Sequence, residues 1–326
     1  MESVQTFFDA IKIARQQTHA NLTVFPLLAP DWGEPDYLTL EEALGQQSVH
    51  VTEKSEAGSV PELRLINSGK SNVLIVEGEE LVGAKQNRMV NLTFLVAGMS
   101  EVLIPVSCVE QGRWNYRTPD FHSGHKVMHF SLRRSHQNAM KDNIRAGWGL
   151  EADQMRVWDD IREKSVQMSV HLPTGALTDL FDSYDNRLEE YSQAFRLVEC
   201  QVGAVFAING QIAGLDAFGH DQIFTKFFGR LIKSYALDAI DWLEQGEKDR
   251  VSPETTRRFL DSAAECTMEL HPSLSLSQNI QFESKEITGS GFVHEDRVIH
   301  LSAFARGDSM GATRVGFSRF SQRRRQ

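Results

Sequence analysis

Apolar residues recur along this chain in three successive rhythms. Val4, Phe7, Phe8, Ile11 and Ala14 fall at helical spacing and predict a helix within residues 3–18. Thr23 to Leu28 reads as a strand, and Asp31-Trp32-Gly33-Glu34-Pro35 as a turn. Thr39 stands three residues before Glu42, the spacing of a capping box, which predicts a short helix from Leu40 to Leu44. A two-residue alternation then takes over in Val49 to Glu53 and Glu62 to Asn67, with a turn at Asn67-Ser68-Gly69-Lys70. Val73 to Val76, Val90 to Val96 and Val102 to Val109 continue it between glycine-containing turns. Short strands at this spacing predict an antiparallel sandwich or barrel-like sheet.

The period lengthens again from about Ser131 to Phe195, where Met155, Trp158, Ile161 and Val166 mark one helix and Leu177 to Phe195 a second. Gly147-Trp148-Gly149 and Leu172-Pro173-Thr174-Gly175 punctuate this part. Val202 to Ile208, Asn209-Gly210 and Gln211 to Phe218 form a hairpin signal, because Asn-Gly suits the positive φ angles of a type I′ turn. A helix is predicted from about Asp221 to Gln245 with Phe224, Phe227, Phe228, Leu231 and Ile232 as its buried stripe. Pro253 opens another helix reaching Cys266, and Ile280 to Glu286 and Val298 to Phe304 close the pattern as strands. The expected class is α+β: β-rich at 20–117, helical at 130–196, hairpin and helices at 197–304. With no repeat and no Pro-rich linker, residues 1–304 are expected to form one domain and 305–326 a flexible tail.

Composition narrows the class. The 326 residues are 41% hydrophobic and 24% charged, as expected of a soluble globular chain with a sizeable core. Met1 to Arg15 carries Glu2 and Asp9 and lacks the basic start and apolar core of a signal peptide, and no apolar run is long enough for a bilayer. Cys108, Cys200 and Cys266 are far apart and form no Cys-x-x-Cys pair, so neither a disulfide framework nor a cysteine-rich zinc site is expected, and a reducing cytoplasm fits. A net charge of −10 argues against coating nucleic acid. The exception is local: Arg306 to Arg325 holds six arginines and one acid, Asp308, so nucleic acid is a possible partner only through this tail.

The densest candidate chemistry is "VEGEELVGAKQNR", residues 76–88, where Glu77, Glu79, Glu80, Lys85 and Arg88 follow an apolar strand. Read as a strand, it puts Glu77 and Glu79 about 7 Å apart on one face and Glu80 on the other. Lys85 and Arg88 come back after a turn near Gly83. Such a cluster can hold a phosphate on its cations and ribose hydroxyls or an acid–base step on its carboxylates. It can equally be an edge strand guarded by charge. In "PVSCVEQGRW", Cys108 and Glu110 share a face, and Arg113 beside Trp114 could seat phosphate and base, whereas Cys108 reads as a small buried thiol. His122, His125 and His129 in "HSGHKVMH" have partial zinc spacing but no acid among them, and read as a loop; Arg133 and Arg134 downstream could add anion contacts. In "GLDAFGHD", Asp216 ends a strand and Asp221 is placed to cap a helix from Gln222.

"VPELRLINSG" (60–69), "VEGEELVGAKQNRMVN" (76–91), "IPVSCVEQGRWNY" (104–116) and "VGAVFAINGQIAGLDAFG" (202–219) together resemble the ADP-ribosylglycohydrolase- and rhodanese-phosphatase-associated protein family. The resemblance covers most of the chain but not the arginine-rich tail. It implies work on ADP-ribose or another NAD-derived nucleotide, in the company of ADP-ribose-processing enzymes. The expected site then has Glu77, Glu79 and Glu110 as catalytic groups and Lys85, Gln86, Asn87, Arg88, Arg113 and Trp114 as ligand contacts, with no metal. The sequence names no cofactor. Two functions stay open: a hydrolase or transferase on a nucleotide-type small molecule, or a non-catalytic ligand sensor or interaction module.

Overall fold

The computed structural model describes residues 2–30, 32–146, 152–243 and 251–306. The arginine-rich tail expected to be flexible, the Gly147-Trp148-Gly149 punctuation and Asp31 of the first turn lie outside these residues, apart from Arg306.

The N-terminal helix α1 (Glu2–Ala10) buries Val4, Phe7 and Phe8 and stops at Ala10. The helical period expected to continue is cut off because β1 (Lys12–Ile13) and β2 (Gln17–His19) both pair with β3 (Leu22–Leu28). Next come β4 (Tyr37–Thr39) and α2 (Leu40–Gly45). The capping box is present: Glu42 N–H donates to Thr39 Oγ1, and Thr39 N–H donates to the Glu42 carboxylate at 2.9 Å.

The alternating region yields β5 (Val49–Glu53), β6 (Glu62–Asn67), β7 (Asn72–Ile75), β8 (Glu79–Gly83), β9 (Arg88–Val90), β10 (Phe94–Val96), β11 (Ser100–Cys108) and β12 (Phe121–Val127). They form two sheets. One is antiparallel with order β12-β8-β9-β11-β6-β5; the other has order β10-β7-β4, with β4 parallel to β7. Val90 to Val96, expected as one strand, is split because β9 pairs with β11 and β10 with β7. The histidine-rich loop expected at 122–129 is instead largely the edge strand β12, irregular between Ser123 and Val127, where His125 has φ 52°.

The middle is helical, as expected: α3 (Phe130–Arg145), α4 (Gln154–Gln167), α5 (Leu177–Ser183) and α6 (Asp185–Ala194). The single helix predicted over Leu177 to Phe195 breaks at Tyr184, whose φ of −117° interrupts it. Then β13 (Gln201–Ile208) and β14 (Gln211–Phe218) meet through Asn209 and Gly210 with φ of 51° and 74°, as the Asn-Gly turn requires. The remainder is α7 (Asp221–Asp241), α8 (Pro253–Ala264), β15 (Thr267–Pro272), β16 (Gln278–Glu283), β17 (Ile287–His294) and β18 (Arg297–Ala305). The last sheet runs β1-β3-β13-β14-β18-β17-β16-β15, with β2 also on β3. The fold is therefore α+β with almost wholly antiparallel sheets.

Strand β13 is buried along its whole length and feeds two cores. Ala204, Phe206 and Ile208 join the α7 stripe Phe224, Phe227, Phe228, Leu231 and Ile232 in the larger one. Val202, Val205 and Ala207 join Val4, Phe7 and Phe8 of α1 and Leu260 and Ala263 of α8 in the smaller. The large sheet is thus covered on both faces here, α7 on one side and α1 with α8 on the other. Among the described residues no helix is long and apolar enough to cross a membrane.

Candidate functional site

Gly78, with φ 87°, decides where the three glutamates go. It makes residues 77–78 a turn before β8, so Glu77 and Glu79 do not lie on one strand face. Glu77 points into a buried polar network, accepting from Gln137 Nε2 at 3.0 Å and Ser290 Oγ at 2.9 Å. Glu79 accepts the Val76 N–H at 2.8 Å and pairs with Arg230 at 3.2 Å. Glu80 accepts the Thr178 hydroxyl through Oε1 and leaves Oε2 unpartnered. Burial raises the pKa of all three, against the pull of Arg133 on Glu77 and Arg230 on Glu79, and brings Glu80 to about 7.

The turn after β8 does fold back, and it meets the end of β11. Gln86 Nε2 donates to the Glu110 carbonyl at 2.9 Å, and the Asn87 N–H donates to Glu110 Oε2 at 3.1 Å. Arg113 pairs with Glu110 at 2.7 Å and donates to the Ala84 carbonyl at 2.6 Å and Asn87 Oδ1 at 3.1 Å. Arg88 and the Cys108 thiol both donate to Gln86 Oε1 at 2.9 Å. The two motifs therefore converge, bringing Lys85, Gln86, Asn87, Arg88, Glu110, Arg113 and Trp114 together. Glu77 and Glu79 stay out of this group. They share no hydrogen-bond or ion-pair partner with Glu110 among the described residues.

Much of the assembly is internal. Gln86, Asn87, Arg88, Glu110 and Arg113 are buried, and Arg88, expected as a phosphate ligand, is 0% exposed. Its guanidinium stands 3.7 Å from buried Glu53 and donates to the Ser59 carbonyl at 3.4 Å. Burial opposes ionisation of Glu110, but the Arg113 hydrogen bond and the Asn87 N–H outweigh it and hold the carboxyl below its usual range. Burial pushes the Cys108 thiol up. The outer layer differs. Trp114 is 47% and Tyr116 48% exposed, and Lys85 Nζ lies 5.4 Å and 5.2 Å from their ring centroids. Arg88 sits 5.6 Å from the Trp114 ring. Gly58, φ 81°, lets its loop lie against this layer; a methyl there would stand 3.1 Å from both Lys85 and Trp114.

Several other expectations are corrected. His125 pairs with Glu41 on β12, whereas His129 is the N-cap residue of α3 and contacts Ser131 and Asp238, so the two share no helix face. No cluster of three or more potential metal ligands occurs among the described residues. Arg133 is no anion contact: it is fully buried in a two-bond pair with Asp216. Arg134 donates to the Ala305 carbonyl at 3.3 Å. Asp221 does not cap α7, since His220 is the N-cap and the Asp221 carboxylate takes the next N–H, that of Gln222.

The residue passed over in the sequence is Glu80. Its neighbours Thr178, Lys126, Asp182 and Glu110 come from distant segments, so only its place in the charged motif could have marked it. A carboxyl whose pKa rises from 4.5 unfolded to about 7 folded keeps its proton longer in the folded state, so it costs stability as pH climbs through that window. Gln at this position keeps the acceptor for Thr178 and removes the titration. Glu80→Gln is expected to gain stability over the parent between pH 4.5 and 7, by up to about 3 kcal/mol. Urea melts at pH 4.5, 6 and 8 check this; a pH-independent difference would contradict it.

The chain matches no curated protein and no solved structure. One family model does match, described as the ARG and Rhodanese-Phosphatase-superfamily-associated Protein domain, and it spans residues 10–304. That span contains every element from β1 to β18 up to Phe304, with the two converging motifs at its centre. The chain belongs to the ARG and Rhodanese-Phosphatase-superfamily-associated Protein family.

Proposed function

We propose that this protein binds an ADP-ribose-like nucleotide on the outer layer of the converged motifs and acts as a ligand-binding associate of ADP-ribose-processing enzymes. The observation that carries the reading is the placement of Lys85 between two half-exposed aromatic rings, Trp114 and Tyr116. An exposed aromatic face stacks a base, and an adjacent ammonium takes a phosphate. Arg117, exposed and 3.7 Å from Glu110, adds a second cation at the same edge. The buried layer of Gln86, Asn87, Arg88, Glu110 and Arg113 fixes the loop that presents these groups. The family's association with ARG and the rhodanese-phosphatase superfamily supports the choice of ligand and of partners.

Trp114→Ala is expected to weaken ADP-ribose binding about tenfold to a hundredfold, the loss of one stacked base. Lys85→Glu should weaken it as well, and both variants should melt like the parent because neither side chain is a core group. Calorimetric titration of ADP-ribose checks this, and unchanged affinity in both variants would refute the site.

The enzymatic reading needs a carboxyl poised near neutrality. Glu77 and Glu79 are buried against Gln137 and Arg230, and Glu110 is held ionised by Arg113. Glu80, at about 7, is the carboxyl whose environment favours that reading. If the protein turns over ADP-ribose, Glu80→Gln should abolish turnover and spare binding.

A further inference from the structure

A cleft of about 720 Å³ opens between α1, the β17–β18 hairpin and the start of α7, and shares no lining residue with the Lys85–Trp114 layer. Its volume lies within the roughly 300–1,000 Å³ of small-molecule sites. Phe7 and Trp32 form its aromatic wall, their rings 5.2 Å apart and tilted. Arg297 lines it, is exposed, and makes no ion pair among the described residues.

The polar groups of the cleft are placed for recognition. His220 is 7% exposed, lines the cleft, and donates from Nδ1 to the Gly33 carbonyl at 2.9 Å. A carbonyl only accepts, so Nδ1 carries a proton, and in the neutral imidazole the lone pair is on Nε2. That nitrogen has no hydrogen-bond partner among the described residues and is open to the cleft's solvent. His220 is also the N-cap of α7, a 21-residue helix, and its side chain does not cap the helix. The first turn of such a helix attracts an anion, but the Asp221 carboxylate already takes the Gln222 N–H there. Behind it, a methyl on Gly219 would stand 2.1 Å from the Val298 carbonyl, so the floor is held by close backbone packing. Glu2 and Asp296, also in the lining, supply acceptors for hydroxyl groups.

We infer that this cleft binds a nucleoside monophosphate. The base stacks on Trp32, and its amino or imino N–H reaches His220 Nε2. The ribose hydroxyls donate to Glu2 or Asp296. The phosphate pairs with Arg297. This site is independent of the one under Proposed function, because it uses none of the same side chains.

AMP, adenosine and ribose 5-phosphate titrated calorimetrically into the full chain test the assignment. AMP should saturate one site and bind more tightly than either fragment. Arg297→Glu, an exposed substitution that leaves the fold intact, should weaken AMP at least tenfold and erase its advantage over adenosine. Trp114→Ala should leave AMP binding unchanged. Absence of saturable AMP binding overturns the inference. So does AMP affinity indifferent to Arg297→Glu, or AMP affinity lost in Trp114→Ala and kept in Arg297→Glu, which would assign the ligand to the other site.

Discussion

Arg133→Met is expected to cost about 3–5 kcal/mol of folding stability, read as a fall in the urea midpoint with an unchanged slope. Arg133 and Asp216 are both fully buried, and the guanidinium donates to the two carboxylate oxygens at 3.0 Å and 2.5 Å. Burial alone would raise the Asp216 pKa, but Arg133 and His300 overcome it and keep the carboxyl ionised. Tyr235 donates to the same carboxylate at 2.9 Å while its ring stacks on Phe206 at 3.8 Å, so the ion pair is tied to the α7–β13 core. Removing the cation strands Asp216 and also removes the charge that most favours ionised Glu77. Two buried carboxyls would then have to protonate or pull water into the core. Asp216→Asn strands the buried guanidinium instead, with Glu77 as its remaining nearby anion, and should cost about as much. A loss below about 1 kcal/mol for Arg133→Met would show that the network is not held by charge.

The parts legible in the sequence were those written in consecutive residues. The Thr39–Glu42 capping box, the alternation of Val49 to Glu53, and the Asn209-Gly210 turn each carry their cause locally, and each appears where its pattern stands. Strand β17 carried no such pattern. Its Gly289 and Gly291 dilute the alternation, yet Gly289 is required because a methyl there would stand 2.3 Å from the Phe282 ring. Packing across the sheet wins over propensity. Strand β12 was hidden for a different reason: it is an edge strand with exposed His122 and partly exposed Ser123 and Gly124, so its apolar ends alone mark it.

The candidate site was half legible on the same principle. That residues 84–88 would meet 108–114 followed from a turn and neighbouring strands. Which charges would be buried did not, because apart from the local Glu110–Arg113 pair the buried charges named here find partners in other segments. Arg133 finds Asp216 83 positions away, and Glu77 finds Ser290 213 positions away. A reading that treats charge as surface will put such residues in a pocket. Lys85 and Trp114 lie outside the strands and are covered only in part, by the loop of Ala57 and Gly58.

Arg88→Ala separates these two kinds of charge most sharply. Arg88 has no exposed surface, and Glu53, with 2% of its side chain exposed, is its ion-pair partner. Deleting the guanidinium leaves that carboxylate with only the Lys85 N–H at 3.3 Å through one oxygen and nothing on the other. It also removes a donor from Gln86 Oε1 and a cation from beneath Trp114. The expected cost is about 3–5 kcal/mol. Lys85→Ala, a few residues away, should change stability by about 0.5 kcal/mol or less, since its ammonium stands at the surface against two rings and the Ala57 carbonyl. Arg88→Lys should recover little, because an ammonium cannot reproduce the planar fork that serves Gln86, Ser59 and Glu53 at once. Thermal and urea melts of the three variants decide the matter. Equal stability of Arg88→Ala and Lys85→Ala would mean that Arg88 is reachable from solvent and belongs with the ligand contacts after all.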